Sequence, residues 1–364
     1  MRLRVGIDGR YLQDHFPGIG RYTFHLIKEL ALVDGPECYV VFCAPSAVNS
    51  RFDLKMLEGP RVSLSVVDVP PLSLRSQTAL PEAIRRERLN VFHCPHYPVP
   101  LLASCPLLTT VHDTIPLRDP FYLPSGRSRL AYRLAIFFAL TRSKAVIADS
   151  MASREDLVRF LRIVPYKIKT VYLGVDMPET TVPEEQSGQC VLYVGTNKPH
   201  KNLPRLVKAY ARARLDLPLV IAGEMDPRYP EAQRQVELLG LTGRVHFLGY
   251  VAEQRLRQLY QTAALFVFPS LAEGFGLPVL EAMAHGVPVV TSNHPAITEV
   301  VGDAALQVDP LDIESLASAM ATALADRNLA RALSFKGRGR AALFPWSKTA
   351  QGCARLYREA AGLT

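Results

Sequence analysis

The sequence predicts an α/β protein built from two parallel-sheet units, and three observations lead there. Short apolar runs of strand length alternate with amphipathic helical segments along the chain, the pattern of parallel sheets with helices on both faces. The 364 residues exceed what one hydrophobic core normally organises, and 48% hydrophobic content is ample for burial. A polar stretch interrupted by prolines, Asp176 to Gly188, has neither strand nor helix periodicity and separates two sets of runs.

Taken in order, the first half offers strands at Leu3–Asp8, Tyr39–Ala44, Val62–Val67, Val91–Cys94, Leu107–Val111, Ala145–Ala148 and Lys169–Val171. The second offers Val191–Val194, Leu219–Ala222, Val245–Leu248, Leu265–Phe268, Val287–Thr291 and Ala305–Val308. The expected units are therefore 1–176 and 189–346, followed by a last helix from about Ser347 to Ala361. Open α/β sheets bind ligands at the carboxyl ends of their strands, so the loops after these runs are where chemistry is expected. Arg127–Lys144 sets basic residues beside a strongly apolar run. Apolar residues nearly surround its second half, so a core helix with a basic start is expected, with a peripheral membrane helix as the alternative.

The run Pro269 to Met283 carries the most information about function. After the buried strand Leu265–Phe268, Glu273 and Glu281 stand with seven residues between them around a turn containing Gly274 and Gly276, and Pro278 suits a first helical turn. A helix start stabilises phosphate through its unpaired N–H groups and dipole, and each acid can accept hydroxyl hydrogen bonds, so phosphate and sugar would be read together. Structural helix capping is the plainer alternative for the acids. His112 ends the run Leu107–Val111 and is followed by Asp113, which sets a polar side chain at a strand end; a core-packed histidine is the alternative there.

These residues resemble the retaining glycosyltransferases of family 4, which have the GT-B fold and a Glu-x7-Glu motif. Tyr193 to Leu203, Val245 to Val251, Gly286 to Ser292 and Ile297 to Ala305 follow in the family's order; Gly18-Ile19-Gly20-Arg21-Tyr22, Val111-His112-Asp113 and Ala148-Asp149-Ser150 match more loosely. The resemblance implies two Rossmann-like domains facing across a cleft, the first holding the acceptor and the second the nucleotide sugar, with residues 347–364 crossing back onto the first. It implies that Lys201 offsets the diphosphate, Glu281 binds the ribose, Glu273 binds the transferred sugar, and His112 lies near that sugar. Amides of Gly274, Phe275, Gly276 and Leu277 would complete the cradle, with Gly195, Thr196, Asn197, Gly249 and Tyr250 beside it. Gly18, Gly20 and Arg21 would form a loop approaching the diphosphate. Many relatives carry arginine where Thr196 stands, which leaves Lys198, His200 or Arg21 as the second cation.

Other classes fit less well. Gly-x-Gly-x-x-Gly is absent after both opening strands, which argues against nicotinamide or flavin enzymes. His93-Cys94-Pro95-His96 is too cramped for zinc and has no second ligand pair, so it is read as a strand-end loop on the acceptor side. No Asp-x-Asp occurs, and no metal or cofactor is expected. The six cysteines are scattered, as reduced thiols would be. No apolar run is long enough to span a membrane and the chain enters a strand at once, so a cytoplasmic location is expected, with the inner face of the membrane as an extension of it.

Residues 1–176 carry 23 Lys and Arg against 16 Asp and Glu, whereas residues 177–364 carry 19 against 18. That basic half is either a plain solvated surface or the footprint of an anionic partner. With the resemblance, the partners are a nucleotide sugar and a glycan or lipid-linked acceptor, and no nucleic acid is expected. The resemblance implies retaining, metal-independent hexosyl transfer in polysaccharide biosynthesis, GDP-mannose being preferred over UDP-glucose because Thr196 and the Pro199–Asn202 loop resemble family members that often use mannose-type donors. Alternatives are an epimerase or phosphorolytic enzyme on the same fold, or a silent nucleotide-binding protein.

Overall fold

In the computed structural model, residues 2–363 are described apart from 15, 45–51, 119–122, 124, 162–163 and 179–187, so much of the predicted linker lies outside the described residues. Contacts divide the chain into two units, Met1–Gly174 with Trp346–Thr364, and Val175–Pro345.

The first unit holds β1 (Leu3–Asp8), β2 (Glu37–Cys43), β3 (Val62–Val66), β4 (Val91–Cys94), β5 (Leu107–Val111), β6 (Ala145–Ala148) and β7 (Ile168–Thr170). They form one sheet in the order β3-β2-β1-β4-β5-β6-β7, and neighbouring strands run parallel. Crossovers include α1 (Pro17–Leu30), α2 (Ser76–Arg86), α3 (Ile115–Arg118), α4 (Gly126–Arg142) and α5 (Met151–Leu161). Strands sandwiched between helices bury both faces, and β4 and β5 are buried at every residue. Strand β2 starts earlier than expected because Glu37, polar in sequence, is buried and paired with Arg61 and Arg358.

The second unit repeats the plan with β8 (Cys190–Val194), β9 (Leu219–Ala222), β10 (Val245–Gly249), β11 (Ala263–Phe268), β12 (Val289–Ser292) and β13 (Leu306–Val308), ordered β10-β9-β8-β11-β12-β13 and parallel. Its helices are α6 (Leu203–Ala213), α7 (Glu231–Leu238), α8 (Glu253–Thr262), α9 (Leu277–Ala284), α10 (Pro295–Val301), α11 (Ile313–Ala325) and α12 (Arg327–Ala341). In both sheets the first strand is central and the order reverses beside it. Such a switch point opens a crevice at the strands' carboxyl ends, between β1 and β4 in one unit and between β8 and β11 in the other.

The last helix, α13 (Trp346–Ala361), returns to the first unit and packs along α1, where the Trp346 ring stacks on His25 at 4.9 Å. One expectation is overturned. Helix α4 is not a core helix: Tyr132, Ile136, Ala139 and Leu140 are buried, but Leu130, Leu134, Phe137 and Phe138 are exposed. Its apolar surface consists of two stripes, and only one meets the sheet.

Candidate active site

The second unit brings Lys201 and Glu273 together at its switch point. Lys201 ends a short 3-10 turn, Pro199–Lys201, after β8, and Glu273 lies in the loop after β11. Their side chains pair at 2.6 Å from Nζ to Oε1, with exposures of only 16% and 10%, so water screens the pair little. Leu271 N–H donates to His200 O at 2.7 Å, and Asn202 Nδ2 donates to Pro269 O at 3.0 Å and to Pro310 O at 2.7 Å, which fastens the two loops. Asn202 takes φ +61°, a left-handed conformation that asparagine tolerates. The Lys201 ammonium also stands 5.0 Å from the centre of the Phe268 ring. Burial works to raise the Glu273 pKa, but Lys201 and His200 outweigh it and hold the carboxyl below its ordinary value.

Helix α9 starts where the motif predicts. Gly276 has φ +107°, and a Cβ there would come 2.5 Å from Ile297 Cδ1, so the turn needs glycine. Intrahelical bonding begins at Val279 N–H to Gly276 O, after Leu277 and Pro278. Phe275 is buried edge-on to Phe344. Glu281 sits within the helix, not at its cap, and Oε2 accepts from Tyr260 Oη at 2.8 Å. The strand-end glycines also close up: a Cβ on Gly223, at φ +140°, would lie 2.2 Å from Gly195 O.

In the first unit His112 follows β5 and Asp149 follows the neighbouring β6. His112 Nδ1 lies 2.7 Å from Asp149 Oδ2, and Nε2 lies 2.9 Å from Pro95 O. Both partners are acceptors, so both nitrogens donate and the ring is satisfied as imidazolium. Burial opposes that charge, but the Asp149 carboxylate outweighs it and raises the His112 pKa. Tyr22 packs edge-on against the ring at 4.8 Å, and its hydroxyl meets Thr110 Oγ1 at 3.0 Å. Thr110 in turn meets His93 Nε2 at 2.8 Å, and His93 Nδ1 meets Tyr357 Oη of α13 at 2.7 Å.

The structure gives the other expected site residues these settings. Gly18, Gly20 and Arg21 are not in a loop but in the first turns of α1, which opens at Pro17. A Cβ on Gly18 would touch nothing within 4 Å, and one on Gly20 would strike the Phe52 ring at 2.6 Å, so Gly20 serves packing. The Asn197 side chain is engaged by the protein: Nδ2 donates to Asp226 O and Tyr229 O, and Oδ1 accepts from Asp226 N–H. Burial and the neighbouring Lys201 lower the His200 pKa to about 4, which favours the neutral imidazole at neutral pH. Lys198 is exposed on the same loop. Thr196 O accepts from Tyr193 Oη, and Tyr250 is exposed just after Gly249 ends β10. His93 and Cys94 are buried and His93 is engaged as above, so that loop presents no ligand pair; the six cysteines are unbridged. Sequence reasoning misses Asp149, Tyr22 and Tyr260 as site residues; for Asp149 the available signal is an acid directly after a strand run, as with His112.

Comparison with known proteins agrees with the fold. Residues 17–178 match the model of glycosyltransferase family 4, and residues 181–340 match that of glycosyl transferases group 1. The O-antigen chain mannosyltransferase B of Escherichia coli is 30% identical, over 94% of this chain and 96% of that protein. The O-antigen chain mannosyltransferase RfbU of Salmonella typhimurium is 31% identical over 62% of each. Among solved structures, a sucrose-phosphate synthase from Thermosynechococcus elongatus superposes with a TM-score of 0.80 over 100% of both chains at 22% identity. An Anabaena protein in complex with UDP-glucose gives 0.77 over 98% of this chain and 99% of its own at 20% identity. With two doubly wound sheets, a near full-length relative and both family models matched in order, the chain belongs to the group 1 glycosyltransferases of family 4 and is a glycosyltransferase of the GT-B fold.

Proposed function

We propose that the protein is a retaining, metal-independent hexosyltransferase that moves mannose from GDP-mannose to a hydroxyl of a glycan or lipid-linked acceptor in polysaccharide assembly. The observation that carries this reading is the Lys201–Glu273 pair at a switch point beside the start of α9. Mannose is favoured by the mannosyltransferase relatives and by the Thr196 and Pro199–Asn202 features of the loop. As the bond from the anomeric carbon to the diphosphate oxygen breaks, negative charge grows on the phosphate and positive charge on the sugar. Lys201 and the α9 start stabilise the phosphate, and the work needs no divalent ion. The acceptor oxygen attacks the face the leaving group vacates, and its proton passes to the departing phosphate oxygen. Glu273, tied to Lys201, holds sugar hydroxyls; Glu281, oriented by Tyr260, holds the ribose; the His112 imidazolium offsets the negative charge that grows on the departing diphosphate.

In a panel of GDP- and UDP-sugars with a mannose-terminated acceptor, GDP-mannose should be consumed in step with acceptor elongation. Nucleotide release without acceptor, with an isomerised sugar, would mark an epimerase instead, and binding without turnover a silent protein. Within that scheme, Glu281→Ala should weaken GDP binding about tenfold by removing ribose hydrogen bonds. Glu273→Ala should chiefly lower kcat, because sugar positioning matters most as charge develops. Equal loss of GDP affinity in both variants would reject this division.

The reading extends to a site of action on the cytoplasmic face of the membrane. Exposed Leu130, Leu134, Phe137 and Phe138 form one stripe of α4, with Arg127 and Arg133 exposed on the same helix, a pattern complementary to an anionic lipid surface. Among the described residues no helix is long and apolar enough to cross the membrane. Sedimentation with phosphatidylglycerol-containing vesicles should carry the protein down, and Leu134→Glu with Phe137→Glu should release it. Equal retention of the double variant would remove α4 as the contact.

A further inference from the structure

A cavity of about 450 Å³ opens in the first unit at its own switch point. It is lined by Arg10 after β1, by Tyr97 and Val99 after β4, by Ser73 and Leu74 ahead of α2, and by Tyr132 of α4. Neither His112 nor Asp149 lines it. The chemistry of the lining narrows what it can hold. Among the described residues of the wall Arg10 is the cation, but its guanidinium is already bound by Asp8 at 2.7 Å and 2.8 Å, by Val69 O and by Ser76 Oγ. An anionic group would therefore find no available charge there. Leu74 is 91% exposed at the rim, and the Tyr97 and Tyr132 rings meet edge to face at 5.0 Å.

Against that apolar wall stand polar atoms that have no hydrogen-bond partner among the described residues. Tyr132 is only 6% exposed, and its hydroxyl makes no hydrogen bond among the described residues; Ser73 Oγ is in the same state. Next to Tyr97, His96 Nδ1 and Tyr11 Oη are also buried without hydrogen-bond partners among the described residues, in a continuous ring cluster with His96 4.0 Å from Tyr97 and 5.5 Å from Tyr11. Burial keeps the Tyr132 phenol protonated, so it remains a donor. A buried hydroxyl left unsatisfied is costly, and a ligand hydroxyl removes that cost. An alkyl chain cannot do so, and a charged group is not called for. A neutral pyranose ring offers both an apolar C–H face for aromatic rings and a rim of hydroxyls.

We propose that this cavity is an acceptor subsite that seats one neutral pyranose ring of the glycan against Tyr97 and Tyr132, with ring hydroxyls bonded to Tyr132 Oη and Ser73 Oγ. The proposal rests on the reading of the chain as a hexosyltransferase with a glycan acceptor and adds where that acceptor is gripped.

Two variants of the full chain test it. Tyr132→Phe removes one hydroxyl at nearly constant shape, and Leu74→Trp fills the mouth from an exposed position; unchanged circular dichroism establishes that each is folded. With a mannose oligosaccharide acceptor, each variant should raise the acceptor KM about tenfold while GDP affinity, a property of the other unit, stays at the wild-type value. Saturation-transfer NMR with methyl α-mannoside should give a signal in the wild type that Leu74→Trp abolishes, a readout independent of turnover. Acceptor KM within twofold of wild type in both variants would overturn the proposal, as would displacement of the mannoside by decyl chains but not by free sugars. A wild-type chain that transfers no sugar from any nucleotide donor yet keeps the Leu74-dependent NMR signal would sink the transferase reading and leave the subsite standing.

Discussion

Lys201→Met should lower kcat/KM for the nucleotide sugar by about two orders of magnitude and also destabilise the second unit. The kinetic part follows from losing the charge-assisted phosphate contact proposed for Lys201, of about 1.5–3 kcal/mol. The stability part comes from Glu273: with its side chain 10% exposed and its pairing to Lys201 at 2.6 Å gone, a buried carboxylate is left uncompensated, at about 3–5 kcal/mol. Because Lys201 and His200 hold the folded Glu273 pKa below its ordinary value, the stabilising term is present above the unfolded carboxyl pKa and is lost as pH falls through the folded one. Lys201→Met with Glu273→Gln should therefore regain stability in urea denaturation while remaining inactive. A folded Lys201→Met protein with near-normal kcat/KM would remove Lys201 from the donor site.

Asp149→Asn should cut transfer most strongly at alkaline pH. The wild-type carboxylate is what raises the His112 pKa against the opposing effect of burial. An amide at 149 can still accept the Nδ1 hydrogen bond but carries no charge, so burial then drives the His112 pKa down. The pH profile of kcat should lose its alkaline limb at lower pH than in the wild type, with activity partly recovered at acid pH where the imidazole protonates again. Loss on the order of tenfold to a hundredfold is expected at pH 8, the effect of removing one well-placed charge of about 1.5–3 kcal/mol. A uniform drop at all pH values would mean that Asp149 acts only by holding the fold.

The sheets are legible in the sequence because parallel strands covered on both faces are written as unbroken apolar runs, as Leu107–Val111 and Leu265–Phe268 are. Glu273 and Glu281 are legible because glycine and Pro278 fix where the loop ends and α9 begins. Contacts between them and the rest are not. Lys201 and Glu273 lie 72 residues apart and meet only because β8 and β11 are neighbours, with β9 and β10 lying to the other side of β8. The same holds for His112 and Asp149, brought together by β5 and β6. Gly18 and Gly20 read as a loop in the sequence, yet Pro17 starts a helix there, and the need for Gly20 is visible only once Phe52 is against it. In α4, apolar residues all round the helix read as a core element, whereas the fold covers one stripe and leaves the other exposed.

The most direct measurement is the anomeric configuration of the product, read by NMR after incubation of the wild-type protein with GDP-α-mannose and acceptor in excess chelator. Retaining transfer driven by Lys201 and the α9 start predicts an α-mannoside formed at the same rate with chelator as with added magnesium or manganese. A β-mannoside, or product that disappears with chelator and returns with metal, would contradict it.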